Sequence, residues 1–150
     1  MVDAELVRRK MALILGDLKM LEPLAKKDLD EYLESKVDEL VAERLLQRLI
    51  GRMIDINYHL LTESGRPPPR DYYQSFHDLG TLGVLPPEFA RRIAAAAGLR
   101  NRLVHEYDEI DPVKVHEAAV SALTDVPEYL RHVDSHLDQL QGDSSGSDGG

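Results

Sequence analysis

A chain of 150 residues, 43% hydrophobic and 30% charged, is long enough for one ordinary domain with its own core, and no shift in composition asks for a second. Cysteine is absent, which excludes disulfides and thiolate metal sites, and no apolar run approaches the ~18 residues of a membrane span, so a cytoplasmic location is the expectation. The net charge of −9 argues against a general affinity for nucleic acid, which normally comes from Lys and Arg neutralising phosphates.

With two Phe and no Trp, the core must be built from Leu, Ile, Val and Ala, a mixture that favours helices over strands. Leu6, Leu13, Leu18 and Leu21 predict a first helix over 3–21, stopped or turned by Pro23. A short acidic helix over 28–33 follows, then a long one over 35–61, opened by Ser35 and Asp38 in the form of a weak capping box. Along it Leu46, Leu49, Met53, Ile56 and Leu60 recur at three- and four-residue steps, and Leu45, Ile50, Ile54 and Leu61 widen the stripe, implying burial on more than one side. The opposite side carries Arg44, Arg48, Gly51, Asp55 and His59, a polar line at helical spacing. Gly51 costs about 1 kcal/mol of helix propensity relative to Ala, which points to a close contact there.

The three prolines between Gly65 and Arg70 break the helix. A short helix over 71–79 is expected next, ended by Gly80 and Gly83. Pro86, Pro87 and Glu88 then open an element over 87–107, whose run Ala94 to Ala97 lets another helix approach closely. Asp111 and Pro112 start a last helix to about 137, with Val113, Ala119, Leu123 and Leu130 as core positions and a kink at Pro127. Residues 140–150, rich in Gly, Ser and Asp, read as a disordered tail. The expected architecture is an all-α bundle of about five to six helices over residues 1–139.

One segment concentrates reactive groups, Arg100-Asn101-Arg102-Leu103-Val104-His105-Glu106-Tyr107. Cleaving a ribose phosphodiester without a metal needs a base for the 2′-hydroxyl, an acid for the leaving 5′-oxygen, and positive charge on the phosphate. His105 suits either proton transfer, and the planar fork of Arg100 suits the phosphate. On a straight helix His105 lies about 140° from Arg100 and about 40° from Asn101, whereas Tyr107 lies about 20° from Arg100. Either the helix ends near His105 or the pair is completed across a twofold interface; the second also explains how a small acidic chain assembles a basic groove. Residues 66–102, which lead into the motif, carry six Arg against three acids, while 103–150 carry eleven acids against two basic side chains. From residue types alone, a salt-bridged Arg100 and a helix-end His105 describe the cluster as well.

The order Arg100, four residues, His105, one residue, Tyr107 resembles the signature of the HEPN superfamily, and within it the HepT-like toxins of HepT/MntA toxin–antitoxin systems. Glu43 to Gln47, Ile54 to Ile56 and His59 are similar to that family's long second helix. A proline-rich turn, a short helix, a Gly-x-x-Gly turn and the motif helix then follow in the family's order. The resemblance spans roughly residues 5 to 137; Gly51-Arg52 departs from it, where an acidic residue is expected. It implies a HEPN-type bundle dimerising through the motif helices and a metal-independent endoribonuclease without cofactor, acting on RNA such as tRNA or mRNA. Arg100 and His105 would be its catalytic pair, Asn101 would position them, and Arg92 and Arg102 would guide the RNA backbone. It also implies a type VII-like system in which a minimal nucleotidyltransferase antitoxin of the MntA kind, forming a higher hetero-oligomer, transfers AMP onto Tyr107. The added anion beside Arg100 would occupy the phosphate position and repel RNA. A non-catalytic HEPN module that binds a nucleotidyltransferase or a nucleotide is the alternative, and a helical scaffold dimer a third.

Asp55 and His59, four residues apart, can hydrogen-bond on one face, either supporting the site or fixing helix packing. His132 and His136 have metal-ligand spacing but no third converging ligand, which leaves a solvated face as the plain reading. Tyr72, Tyr73 and Phe76 with Arg70 can stack on bases or pack a short helix. Phosphate-cradling Gly loops, a Ser nucleophile elbow and H-E-x-x-H are all absent.

Overall fold

The computed structural model describes residues 1–148, apart from the side chains of Tyr107 and of residues 144–148. Among the described residues it contains seven α-helices, one 3-10 turn and no strand. Helix α1 (Ala4–Ala25) runs antiparallel to α3 (Lys36–Glu63), and α2 (Leu29–Glu34) bridges them. The pairing is written in polar contacts along the two helices: Asp3 N–H to His59 Nε2 at 2.9 Å, Lys10 to Asp55 at 3.4 Å, Asp17 to Arg52 at 2.8 Å.

The apolar face of α1 is Val7, Ile14, Leu18 and Leu21; Leu13, expected in the core, is 52% exposed because it sits about 100° from Ile14 on the helix. Pro23 does not stop α1, which continues through it to Ala25. The ring forgoes one bond, from position 23 to the Lys19 carbonyl, a loss confined to the last turns of the helix. Ser35 caps α3 by accepting from the Asp38 N–H at 3.2 Å, while the Asp38 carboxylate turns away to Lys27 at 2.5 Å, so half of the capping box forms. Helix α3 is the central element, buried along Leu45, Leu46, Leu49, Met53, Ile56 and Leu60.

Helix α4 (Tyr72–Leu82) is capped by Asp71, whose carboxylate accepts from the Gln74 N–H at 2.7 Å. Gly80 lies inside α4 rather than ending it; a Cβ there would stand 3.1 Å from the Ala90 Cβ, so the glycine lets α4 and α5 (Pro87–Ile93) approach. Gly83, in the left-handed conformation at φ 91°, makes the stop. The single element expected over 87–107 is divided at Ala94 into α5 and α6 (Ala95–His105), with Ala94 and Ala97 fully buried at the bend. The division raises the helix number above that expected.

Helix α7 (Pro112–Asp148) closes the bundle, with Val115, Ala119, Val126, Tyr129, Val133 and Leu137 in the core; Val113 and Leu123 are only partly buried. Pro127 lies inside it without ending it. The helix also continues past Leu137 through most of the segment read as a tail, because an existing helix propagates at one hydrogen bond per added residue; residues 149 and 150 lie outside the described residues. A polar chain, buried as far as Ser75, ties three elements together: Tyr129 Oη to Asn57 Oδ1 at 2.5 Å, Asn57 Nδ2 to Ser75 Oγ at 3.0 Å, and Ser75 Oγ to the Tyr72 carbonyl at 2.6 Å. Among the described residues no helix is long and apolar enough to cross a membrane.

Candidate functional site

Helix α6 ends at His105, where Glu106 leaves helical geometry, and Tyr107 begins a 3-10 turn, Tyr107–Glu109. Arg100 and His105 therefore both belong to one helix and keep the wide angular separation that the spacing predicts. His105 is exposed, and with Gly98, Asn101 and Arg102 it makes the outward face of α6 at three- and four-residue steps. The Tyr107 side chain, the modification site expected from the resemblance, lies outside the described residues.

Arg100 points to the other side, toward α3 and α4. Its guanidinium carbon stands 5.1 Å from the centroid of the Tyr72 ring, a cation–π contact. Tyr72 is in turn set edge-on against Tyr58, with centroids 6.0 Å apart, and burial pushes the Tyr58 phenol up from its ordinary value. The proline-rich connector holds this platform in place, for the Tyr58 hydroxyl reaches the Pro69 carbonyl at 3.5 Å just before α4 begins. Arg100 then lines an open cleft of about 230 Å³ with Gln47, Arg48, Gly51, Arg52 and Asp55 of α3.

The structure brings Asp55 into the cleft of Arg100 and leaves His59 out of it. Asp55 pairs with Lys10, and His59 accepts from the Asp3 backbone, so the two do not form the bonded pair that their spacing allows. Arg92 on α5 and Arg102 on α6 both lie away from the Arg100 cleft. There they border a largely apolar cavity of about 320 Å³ between α3, α6 and α7. Arg92 stands 3.3 Å from both Asp125 and Glu128 and over the Phe89 ring, a structural engagement that competes with any contact to RNA. Of the aromatic group, Phe76 is core, Tyr73 leans on His77, and Tyr72 alone faces the motif. His132 bonds Glu128 at 3.3 Å, and among the described residues no three His, Asp or Glu side chains converge on a metal-sized site.

Sequence reasoning missed Asp17, Gln47 and Arg52 as parts of this site. Asp17 is 5% exposed on the apolar face of α1, and it meets Arg52 at 2.8 Å and Arg48 Nε at 3.3 Å. A carboxylate placed three residues after Ile14 and one before Leu18, on a buried stripe, was the available signal, since such a group needs a cation opposite it.

Comparison with known proteins meets this geometry from a separate direction. The model of the HepT-like family, described as ribonuclease HepT-like, matches residues 14–133. The chain belongs to the HepT-like ribonuclease family. It is 39% identical over 140 residues to a protein named tRNA nuclease HepT from Aphanizomenon flos-aquae (strain 2012/KM1/D3), covering 93% of this chain and 95% of that one. In fold it is similar to the cytosolic protein of unknown function YutE from Bacillus subtilis, with TM-score 0.80, 18% identity and 94% of each chain covered. It is likewise similar to the tri-AMPylated HEPN toxin of Shewanella oneidensis, solved in complex with its MNT antitoxin. There the TM-score is 0.77 and the identity 21%, over 86% of this chain and 96% of that one. The all-α HEPN bundle expected from the motif order is therefore the fold of this HepT-like chain.

Proposed function

We propose that this HepT-like chain is a ribonuclease toxin that cleaves RNA, with tRNA the substrate class suggested by its 39% identical relative, and that it works as a dimer. The observation that carries the reading is the placement of Arg100 and His105 on opposite flanks of one short helix, with His105 on an exposed face. A single copy cannot aim both groups at one phosphate. A twofold dimer in which each copy supplies part of a shared cleft completes the pair, the His105 of one copy meeting the Arg100 of the other.

In that cleft one imidazole takes the 2′-hydroxyl proton as the 2′-oxygen attacks phosphorus. A second imidazole protonates the departing 5′-oxygen, leaving a 2′,3′-cyclic phosphate. Arg100, held over the Tyr72 ring, meets the charge that gathers on the phosphoryl oxygens. Asn101, exposed one residue on, positions the phosphate or the imidazole. These groups supply base, acid and charge, so the reaction proceeds without a metal. Tyr107 follows the helix by two residues, and AMP transferred to it by a nucleotidyltransferase antitoxin places a bulky anion where RNA must bind.

The test is RNA cleavage in EDTA, with intact-mass spectrometry of each sample, for the chain made alone, His105→Ala, and chain made with a neighbouring nucleotidyltransferase. Expected are cleavage by the unmodified chain, a loss of about 10²–10⁴-fold in His105→Ala, and AMP-sized mass steps mapping to Tyr107 on co-expression. If the unmodified dimer leaves RNA intact throughout, the chain is a binding module.

A further inference from the structure

The cleft beside Arg100 contains more positive charge than one phosphate requires. Arg48, Arg52 and Arg100 line it together, and the two carboxylates nearby are already engaged: Asp55 by Lys10, and Asp17 by Arg52 and Arg48. Four cations against two carboxylates leave this patch at +2 in a chain of net charge −9.

The way Asp17 holds its partners leaves donors free. It meets Arg48 through Nε, so both terminal nitrogens of that half-exposed side chain stay available, and it meets Arg52 through one terminal nitrogen only. A carboxylate buried to 5% exposure and fixed by α1 packing thus acts as a bracket that orients two guanidinium forks at the surface.

Gly51 is the second, independent observation. It stands in the middle of α3 between the two arginines and Asp55, at a helix position where glycine is unfavourable, and an added Cβ would meet nothing within 4 Å. The close helix contact that the sequence suggests is absent, so no packing in this chain explains the missing side chain. What it does is keep the floor of the cleft open.

We infer that Arg48 and Arg52, bracketed by buried Asp17 over the open floor at Gly51, form a second phosphate subsite that takes a phosphodiester of single-stranded RNA adjacent to the one held by Arg100. The assignment rests on the ribonuclease reading for the identity of its ligand, and on the cleft for its chemistry. Two subsites in one groove fix the register of the strand, so the bond presented to His105 is set by phosphate spacing.

The experiment measures binding of a short fluorescein-labelled single-stranded RNA by anisotropy, across roughly 50–200 mM salt, in a His105→Ala background that does not consume the probe. Arg48→Gln leaves Asp17 paired with Arg52, and the triple change Asp17→Asn, Arg48→Gln, Arg52→Gln removes the buried charge together with its cations, so neither orphans a carboxylate. The logarithmic salt slope is expected to fall by about 0.7 in the first and by about 1.4 in the second, since each single-strand phosphate contact contributes about 0.7. Gly51→Leu keeps every cation and fills the floor, and it is expected to reproduce the loss of affinity.

Parental slope and affinity in all three variants would overturn the subsite, as would a parent that binds no RNA. Cleavage is scored separately with His105 restored. A chain that cuts RNA while the Arg48 and triple variants bind it normally loses the subsite and keeps the nuclease. A chain whose slope falls as expected but which never cuts keeps the subsite and loses the nuclease.

Discussion

Replacing Tyr129 by Phe removes one oxygen from the centre of the bundle and tests the buried polar chain that sets α4 beneath Arg100. Tyr129 is fully buried, and burial drives its phenol well above its ordinary value, so it stays a neutral donor across the working pH range. Its single proton serves the Asn57 Oδ1 at 2.5 Å, with the Met53 carbonyl 3.0 Å away as a second neighbour. Without it the Asn57 carbonyl is left unpaired in a site with 0% exposure. The cost of orphaning a buried acceptor is about 1–3 kcal/mol, equivalent to a fall of roughly 2–4 °C in Tm per kcal/mol for a chain of this size. The assay is urea unfolding followed by circular dichroism, with a lower midpoint and an unchanged slope expected. Asn57→Leu in the Tyr129→Phe background should cost less than in the parent, by about 0.5–3 kcal/mol of coupling. An unchanged midpoint, or strictly additive costs, would refute the claim that these groups act as one chain.

Two further outcomes follow from single positions. Gly51→Ala should stabilise the fold by about 1 kcal/mol in the same unfolding assay, because the Cβ enters open space on a helix, yet it should weaken RNA binding rather than improve it. His136 has its pKa lowered from 6.5 by burial, and its buried Nε2 has no partner among the described residues. The folded state thus favours the neutral ring, and the stability this contributes is present above pH 6.5 and lost as pH falls through the lower folded value. His136→Phe should flatten the decline of the urea midpoint on the acid side of pH 6.5, and an unaltered profile would remove His136 as its source.

The local basic cleft also bears on the objection that a chain of net charge −9 is a poor partner for RNA. Of the 27 acids, seven lie between Asp28 and Glu43 and eleven in residues 103–150, where Asp134 and Asp138 hold Arg8, and Asp125 and Glu128 hold Arg92. Beyond about 8–10 Å their field is screened at physiological salt, whereas contacts within the Arg100 cleft are not. On the proposed reading, an acidic body with a basic cleft at Arg100 discourages loose binding elsewhere and makes that cleft the place for a phosphate.

The sequence by itself determined the helical class, the central helix α3 with its broad apolar stripe, the motif helix and its order after the proline turn, and the family to which the motif belongs. These are legible because helical periodicity, proline and short motifs are local, and their meaning survives without knowing what lies opposite. Only the tertiary structure decided which face of α1 is buried, where α5 and α6 divide, and which arginines share a cleft. Arg92 and Arg100 both lie in the same basic stretch of sequence, yet α7 takes one and α3 receives the other. Asp17 and Arg52 are 35 residues apart, and nothing local relates them. Their partnership arises because α1 and α3 pack antiparallel, and a buried carboxylate must then find its cations on the helix that packing brings to it.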